Sequence, residues 1–307
     1  MNSWWVDTDP GVDDAWALLM LLRSDVVRIE GISVVGGNVG LEHTLRNACQ
    51  IVDRARYPVP VHAGAARPLI GGLPDAGFVH GDDGFGNADL PPAATRPHSM
   101  PAVQALIDAS HRFAGELNLL ALGPLTNLAL AIAVDPTLPN RCKRVVVMGG
   151  AIGAFGNTIV PSAEFNIAFD PEAAAIVFAR WQGIELVDWE LTMAVAPLAA
   201  EVDEWLQRPR ETARWLHSIT RPTAQFIHGH QFERWTWADP LAAWVALQPQ
   251  SVLEWSRAPI EVALAQGPTR GQTVIDWHGM GGFRGPPVQM ARRIDAIGFH
   301  AAMQSVL

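Results

Sequence analysis

The chain has 307 residues, of which 49% are hydrophobic and 17% charged, ample for a sizeable core and against disorder. Its formal net charge is −9 with no lysine- or arginine-rich run, which argues against a nucleic-acid or anionic-membrane surface. Two distant cysteines, Cys49 and Cys142, indicate neither a disulfide framework nor a zinc site, and fit a reducing, cytoplasmic compartment.

In chain order, "WWVD" (4–7) reads as a short strand ending in aspartate, and the helical pattern from Asp13 to Leu22 starts with two acids where the helix dipole favours them. A strand over 27–37 runs into a glycine turn, followed by a helix over 41–55 and a strand over 59–64. Residues 65–100 are rich in Gly, Pro and Asp and are expected to form a long loop. Then come a helix (101–112), a strand (117–123), a helix (124–133), a strand (144–150), a helix (170–180) and a strand (184–189). Residues 197–248 read mainly as helix and the rest as mixed β-structure. The alternation of strand and helix predicts one α/β domain over 1–307, with a mostly parallel central sheet flanked by helices. There is no basic segment leading into an apolar one at the N-terminus, and no apolar run of membrane-spanning length. Twelve tryptophans stand against one tyrosine.

Five predicted strand ends, "DTDPG", "VVGGN", "ALGPLTN", "VMGGA" and "DWELT", are polar or glycine-rich. Any one of them is an ordinary turn. Together, at one edge of a parallel sheet, they predict a single site. The first carries Asp7, Asp9, Asp13 and Asp14 within eight positions. Two of these can serve the helix dipole and a turn. Four would repel one another, so a hard divalent cation, calcium or magnesium rather than zinc, is expected among them. A DxD phosphoryl-transfer loop with a nucleophilic aspartate is the competing reading.

"DTDPGVDDAWAL" resembles the N-terminal signature of the nucleoside hydrolases, which cleave the N-glycosidic bond of ribonucleosides. The blocks "VVGGNVGLEHTLRNA" (34–48), "VHAGAARPL" (61–69), "HGDDGFGNADLP" (80–91), "LALGPLTNLALAI" (120–132), "PSAEFNIAFDPEAAAIVF" (161–178) and "ADPLAAWVALQP" (238–249) continue the resemblance in order over most of residues 5–250. The resemblance implies that Asp9 is both general base and calcium ligand. Asp14, Asp239 and the backbone carbonyl of Leu122 would be further calcium ligands. Asp13, Asn38, Asn157, Glu164 and Asn166 would hold the ribose, with His80 and Met148 also at the substrate and Asp7 supporting the loop. It further implies a small-molecule nucleoside partner and a homodimer or homotetramer.

Two positions depart from the family pattern. Ala238 stands where many members carry a histidine that protonates the leaving base, and Glu190 stands where aspartate is commoner. A methyl group donates no proton. Stacking on Trp235 or Trp237 could instead make a purine leave, with His228 or His230 as the acid. These features predict a purine preference. A nucleoside-binding protein without turnover is the alternative that Ala238 raises, and Asp9 argues against it.

Overall fold

The computed structural model describes residues 1–71 and 73–307. Gly72, inside the loop expected over 65–100, lies outside the described residues. The elements are β1 (Asn2–Thr8), α1 (Val12–Leu22), β2 (Val27–Val34), α2 (Leu41–Ala55), β3 (Val61–Ala63), α3 (Gly77–His80), α4 (Ala102–Arg112), β4 (Leu117–Ala121), α5 (Thr126–Val134) and β5 (Cys142–Met148). They continue with α6 (Phe165–Phe169), α7 (Pro171–Arg180), β6 (Ile184–Val187), α8 (Trp189–Val195), α9 (Ala199–Leu206), α10 (Glu211–Ile219), α11 (Arg221–Gly229), α12 (Ala238–Leu247), β7 (Val252–Val262), β8 (Thr273–Ile275), β9 (Pro287–Ile294) and α13 (Ala296–Ser305).

One sheet joins the strands in the order β3-β2-β1-β4-β5-β6-β9-β7-β8. The pairings from β3 through β6 to β9 are parallel, and β7 lies antiparallel between β9 and β8. The fold is therefore the expected α/β domain with a mostly parallel sheet. Strand β1 is buried from Trp4 to Thr8, as parallel strands covered on both faces must be. Helix α1 is buried at every position but Asp13, which is why its composition is apolar all round rather than on one stripe.

The chain runs from β1 outward to β3, then returns to the other side of β1 with β4. At such a reversal the connections after the two central strands diverge, and a crevice opens beyond their carboxyl ends. The loops after β1 and β4 lie there, carrying Asp9 and Leu122. Two expectations change in detail. The long loop contains the short helix α3, and the C-terminal β-structure is followed by α13, which sequence periodicity did not signal.

Candidate active site

The loop from β1 to α1 is built by carboxylates accepting from fixed donors. Asp7 Oδ1 accepts from the Ser33 hydroxyl and from Asn127 Nδ2 (2.8 Å), and Ser33 in turn accepts from Trp5 Nε1 (2.9 Å). Asp7 thus braces the end of β1 against β2 and α5, and burial pushes its carboxyl up to about 7 despite these donors. Asp14 Oδ1 accepts from the Thr8 hydroxyl and Oδ2 from Gly11 N (2.9 Å), which ties the start of α1 to the end of β1. Asp9 Oδ2 accepts from Asn38 N (2.8 Å), while Asn38 Nδ2 donates to the Asp9 carbonyl (3.1 Å) and to Asp14 Oδ2 (3.2 Å).

Two glycines make room for Asp9. A Cβ on Gly37 would overlap Asp9 Oδ2, and one on Gly123 would meet Oδ1 at 2.5 Å. Gly37 of "VVGGN" and Gly123 of "ALGPLTN" are therefore required by the Asp9 carboxylate, not by a left-handed backbone.

Asp239, in the first turn of α12, arrives from the far end of the chain because α12 packs along α1. Carboxylate oxygens of Asp13, Asp14 and Asp239 lie within 4.8 Å of one another. Burial, then the charge of Asp14, holds both Asp9 and Asp239 well above the usual carboxylate range. Burial also raises Asp14, and takes Asp13 to about 6. Asp9 Oδ1 and Asp13 Oδ1 are buried without a hydrogen-bond partner, and none of the ion pairs among the described residues involves the cluster. Oxygen-only donors, mutual repulsion and unpartnered oxygens together fit a hard divalent cation.

The opposite wall comes from β4, β5 and α6. Asn166 Nδ2 donates to the Leu122 carbonyl (2.6 Å), and lies 3.4 Å from the Met148 carbonyl and 3.2 Å from Met148 Sδ. The amide thus spans the ends of β4 and β5. Glu164 is the N-cap of α6, accepting from Asn166 N (2.9 Å) and Ile167 N (3.2 Å), and it also accepts from Gly150 N (2.9 Å). Burial raises Glu164 to about 7. Asn157 is exposed and its Oδ1 accepts from Phe165 N (2.9 Å), so it orders the loop before α6. Glu190 accepts from Gly153 N and Phe155 N (both 2.9 Å), while Asp188 caps α8 and accepts from Ile152 N. The extra methylene of Glu190 carries its carboxylate to this loop.

His80 closes α3 beside the site. Its Nδ1 accepts from Val12 N (3.2 Å), which assigns the proton to Nε2, and burial pushes its pKa down to about 4. His80 is therefore neutral at pH 7, with a donor still to offer.

The residues expected at the base behave differently. Trp235 and Trp237 are each 1% exposed and lie flat on one another, centroids 5.2 Å apart at 9°, with Trp16 edge-on to Trp237 at 4.7 Å. Their faces are spent on the core, so stacking of a base on either does not agree with this placement. His228 lies in the last turn of α11 and pairs through Nε2 with Asp203 Oδ2 of α9 (3.1 Å), and His230 lies exposed, stacked at 5.6 Å on Phe232. Among the described residues, no hydrogen bond or ion pair joins either histidine to the carboxylate loop. Asn127, Thr8 and Ser33 were missed as supports. "GPLTN" at a strand end carried a signal for Asn127, whereas Thr8 and Ser33 are buried partners visible only in three dimensions.

Comparison with known proteins places these features in context. A family model described as inosine-uridine preferring nucleoside hydrolase matches residues 4–301. The non-specific ribonucleoside hydrolase RihC of Klebsiella pneumoniae is 37% identical over 297 residues, covering 96% of this chain and 94% of that protein. The probable uridine nucleosidase 2 of Oryza sativa is 37% identical over 275 residues, covering 88% and 81%. Among solved structures, the plant nucleoside hydrolase PpNRh1 superposes with a TM-score of 0.91 at 29% identity, covering 99% of this chain and 98% of that one. The purine-preferring ribonucleoside hydrolase from Gardnerella vaginalis gives 0.88 at 27%, covering 99% and 97%.

Proposed function

The chain belongs to the inosine-uridine preferring nucleoside hydrolase family, and from that premise we propose that it hydrolyses the N-ribosidic bond of ribonucleosides with calcium at the carboxylate cluster and Asp9 as general base. The observation that carries the reading is the buried, unpartnered Asp9 Oδ1. Its sister oxygen is fixed by Asn38 N, so the carboxylate cannot rotate away, and Oδ1 is the atom left to take a proton from water. Asp9, Asp14, Asp239 and the Leu122 carbonyl would hold the cation. When bound, the cation offsets the carboxylate repulsion and makes an adjacent water more acidic.

Cleavage of an N-riboside places positive charge on the sugar, as other glycoside cleavages do. Asp13, with its free Oδ1, is assigned to the ribose hydroxyls, together with Asn38, Asn157, Glu164 and Asn166. Glu164 and Asn157 act through the loop they order, since their oxygens are engaged by backbone N–H groups. His80 Nε2 is assigned as a donor to substrate.

Base preference is the finer part of the reading. Ala238 precedes Asp239 and supplies no acid, which favours a base that is protonated elsewhere, as a purine ring can be. The support from Trp235 and Trp237 is withdrawn by their burial. Named relatives divide between uridine, non-specific and purine-preferring enzymes. The test is release of free ribose from inosine, adenosine, uridine and cytidine, with calcium and with a chelator. Ribose release that needs calcium is expected. A higher kcat/KM for uridine than for inosine would end the purine preference, and no ribose from any nucleoside would favour a binding protein.

A further inference from the structure

The loop over 151–163 leaves the carboxyl end of β5 and returns to α6, where Glu164 and Asn166 stand. Its first half is held from one place, the start of α8. Asp188 Oδ2 accepts from Ile152 N (3.2 Å). Glu190, two residues on, accepts from Gly153 N on both oxygens and from Phe155 N on Oε1, all at 2.9 Å. Between those two N–H groups Ala154 has a φ of 64°, a left-handed conformation that a residue with a Cβ adopts only at a cost. Backbone N–H groups around such a residue converge on one point, and an anion at that point stabilises them. Here the anion is the Glu190 carboxylate. Gly153 is fitted to it, since a Cβ there would meet Glu190 Oε2 at 2.7 Å.

The turn runs directly into the wall of the site. Gly156 N donates to the Pro161 carbonyl (2.8 Å) and Asn157 N to the Ala163 carbonyl (3.2 Å). Asn157 Oδ1 accepts from Phe165 N at the start of α6. The next residue is Asn166, whose amide reaches the Leu122 carbonyl. The bland account of Glu190 is an acid in the first turn of a helix, serving the dipole. It does not explain why the carboxylate turns away to the loop, and the cap of α8 is already supplied by Asp188 through Leu191 N. Nor is the loop spent on the core, because Phe155 is 69% exposed and Ile159 79%.

We propose that Glu190 is a positioning residue for nucleoside binding. It holds the left-handed turn at Ala154 and so sets the wall, from Asn157 to Asn166, that is assigned to the ribose. It touches no reacting atom, so it acts on substrate affinity and leaves the chemical step alone. An aspartate, one methylene shorter, does not replace it. The proposal rests on the hydrolase reading for its kinetic readout, whereas the order of the turn is read without turnover.

The test compares the calcium-loaded wild type with Glu190→Ala, Glu190→Asp and Gly153→Ala. Without substrate, amide exchange at Gly153 and Phe155 is expected to be at least about tenfold faster in both Glu190 variants. KM for the faster of inosine and uridine should rise by at least about tenfold, since the bonds lost are to a charged acceptor, with kcat within about threefold of wild type. Gly153 has no positive φ, so the methyl of Gly153→Ala meets only the carboxylate. It should displace Glu190 and raise KM in the same way, and adding Glu190→Ala to it should raise KM no further. A merely structural role would lower Tm and the active fraction, hence the apparent kcat, and leave KM unmoved. Unchanged amide exchange in Glu190→Ala, faster exchange with an unchanged KM, or wild-type behaviour of Glu190→Asp would each overturn the proposal. If the wild type releases no ribose from any nucleoside, the hydrolase reading falls separately, and a calorimetric Kd for inosine takes the place of KM with the same outcomes.

Discussion

In the proposed reaction Asp9 is the group that takes the proton. One carboxylate oxygen is fixed by Asn38 N and the other has no partner, so geometry and electrostatics converge on one atom. Asp9→Asn keeps the shape and removes the base. We expect kcat to fall by about 10²–10⁴-fold, with a thermal midpoint in chelator no lower than that of wild type, read by ribose release and calorimetry; a kcat within tenfold of wild type would remove Asp9 from that role. The tryptophans make the opposite case. Trp235→Ala empties a stacked core position and is expected to cost about 3–5 kcal/mol of stability, read by urea unfolding, with the inosine-to-uridine kcat/KM ratio unchanged. A large change in that ratio at near-normal stability would return Trp235 to the base.

At the scale of elements, caps and packing decide which loops are held. Asp188 caps α8 through Leu191 N (2.9 Å) and also accepts from Ile152 N (3.2 Å), so one carboxylate fixes a helix start and the loop after β5. Burial outweighs these donors and raises it from 3.8 to about 6. Between those values the folded chain binds more protons at this site than the unfolded chain. The contribution of Asp188 to stability therefore declines as pH rises from about 4 to about 6 and is level above. Urea midpoints of wild type and Asp188→Asn across this range should diverge in the variant's favour as pH rises; parallel curves would refute the assignment. The same scale explains α13. Its pattern is interrupted by Gly298 and weakly periodic, yet Asp295 caps it by accepting from Gly298 N (3.0 Å), a local signal of the Asp-x-x-Gly kind that was there to be read.

For the whole molecule, the carboxylate cluster is a site of mutual repulsion that the proposed cation would relieve. Asp9 and Asp14 flank one turn while Asp239 comes from over two hundred residues away, so the cation would clamp the first and last thirds of the chain together. A ligand at about 100 times its Kd stabilises by about 2.7 kcal/mol, or about 4 °C in Tm for a chain of this size. Calorimetry with chelator and with added calcium should show a rise of this order, and Asp239→Asn should abolish it. An identical Tm in chelator and in calcium would argue against the cation site.

The sequence by itself determined the βα alternation, the single parallel-sheet domain and the loop of four aspartates, because strand and helix periods, caps and charge density are local properties. The motif blocks also carried the family and the proposal that Asp9 and Asp14 serve the site. Tertiary structure alone decided which neighbours each of these groups meets. It set Gly37 and Gly123 against Asp9, joined Asn127 to Asp7, and turned Trp235 and Trp237 into the core while leaving Phe78 and Phe232 exposed. An aromatic side chain next to a functional aspartate reads the same in sequence whether its face meets a ligand or another ring. Only the packing of α12 against α1 distinguishes the two, since that contact places Trp16 against Trp237 and burial follows from it.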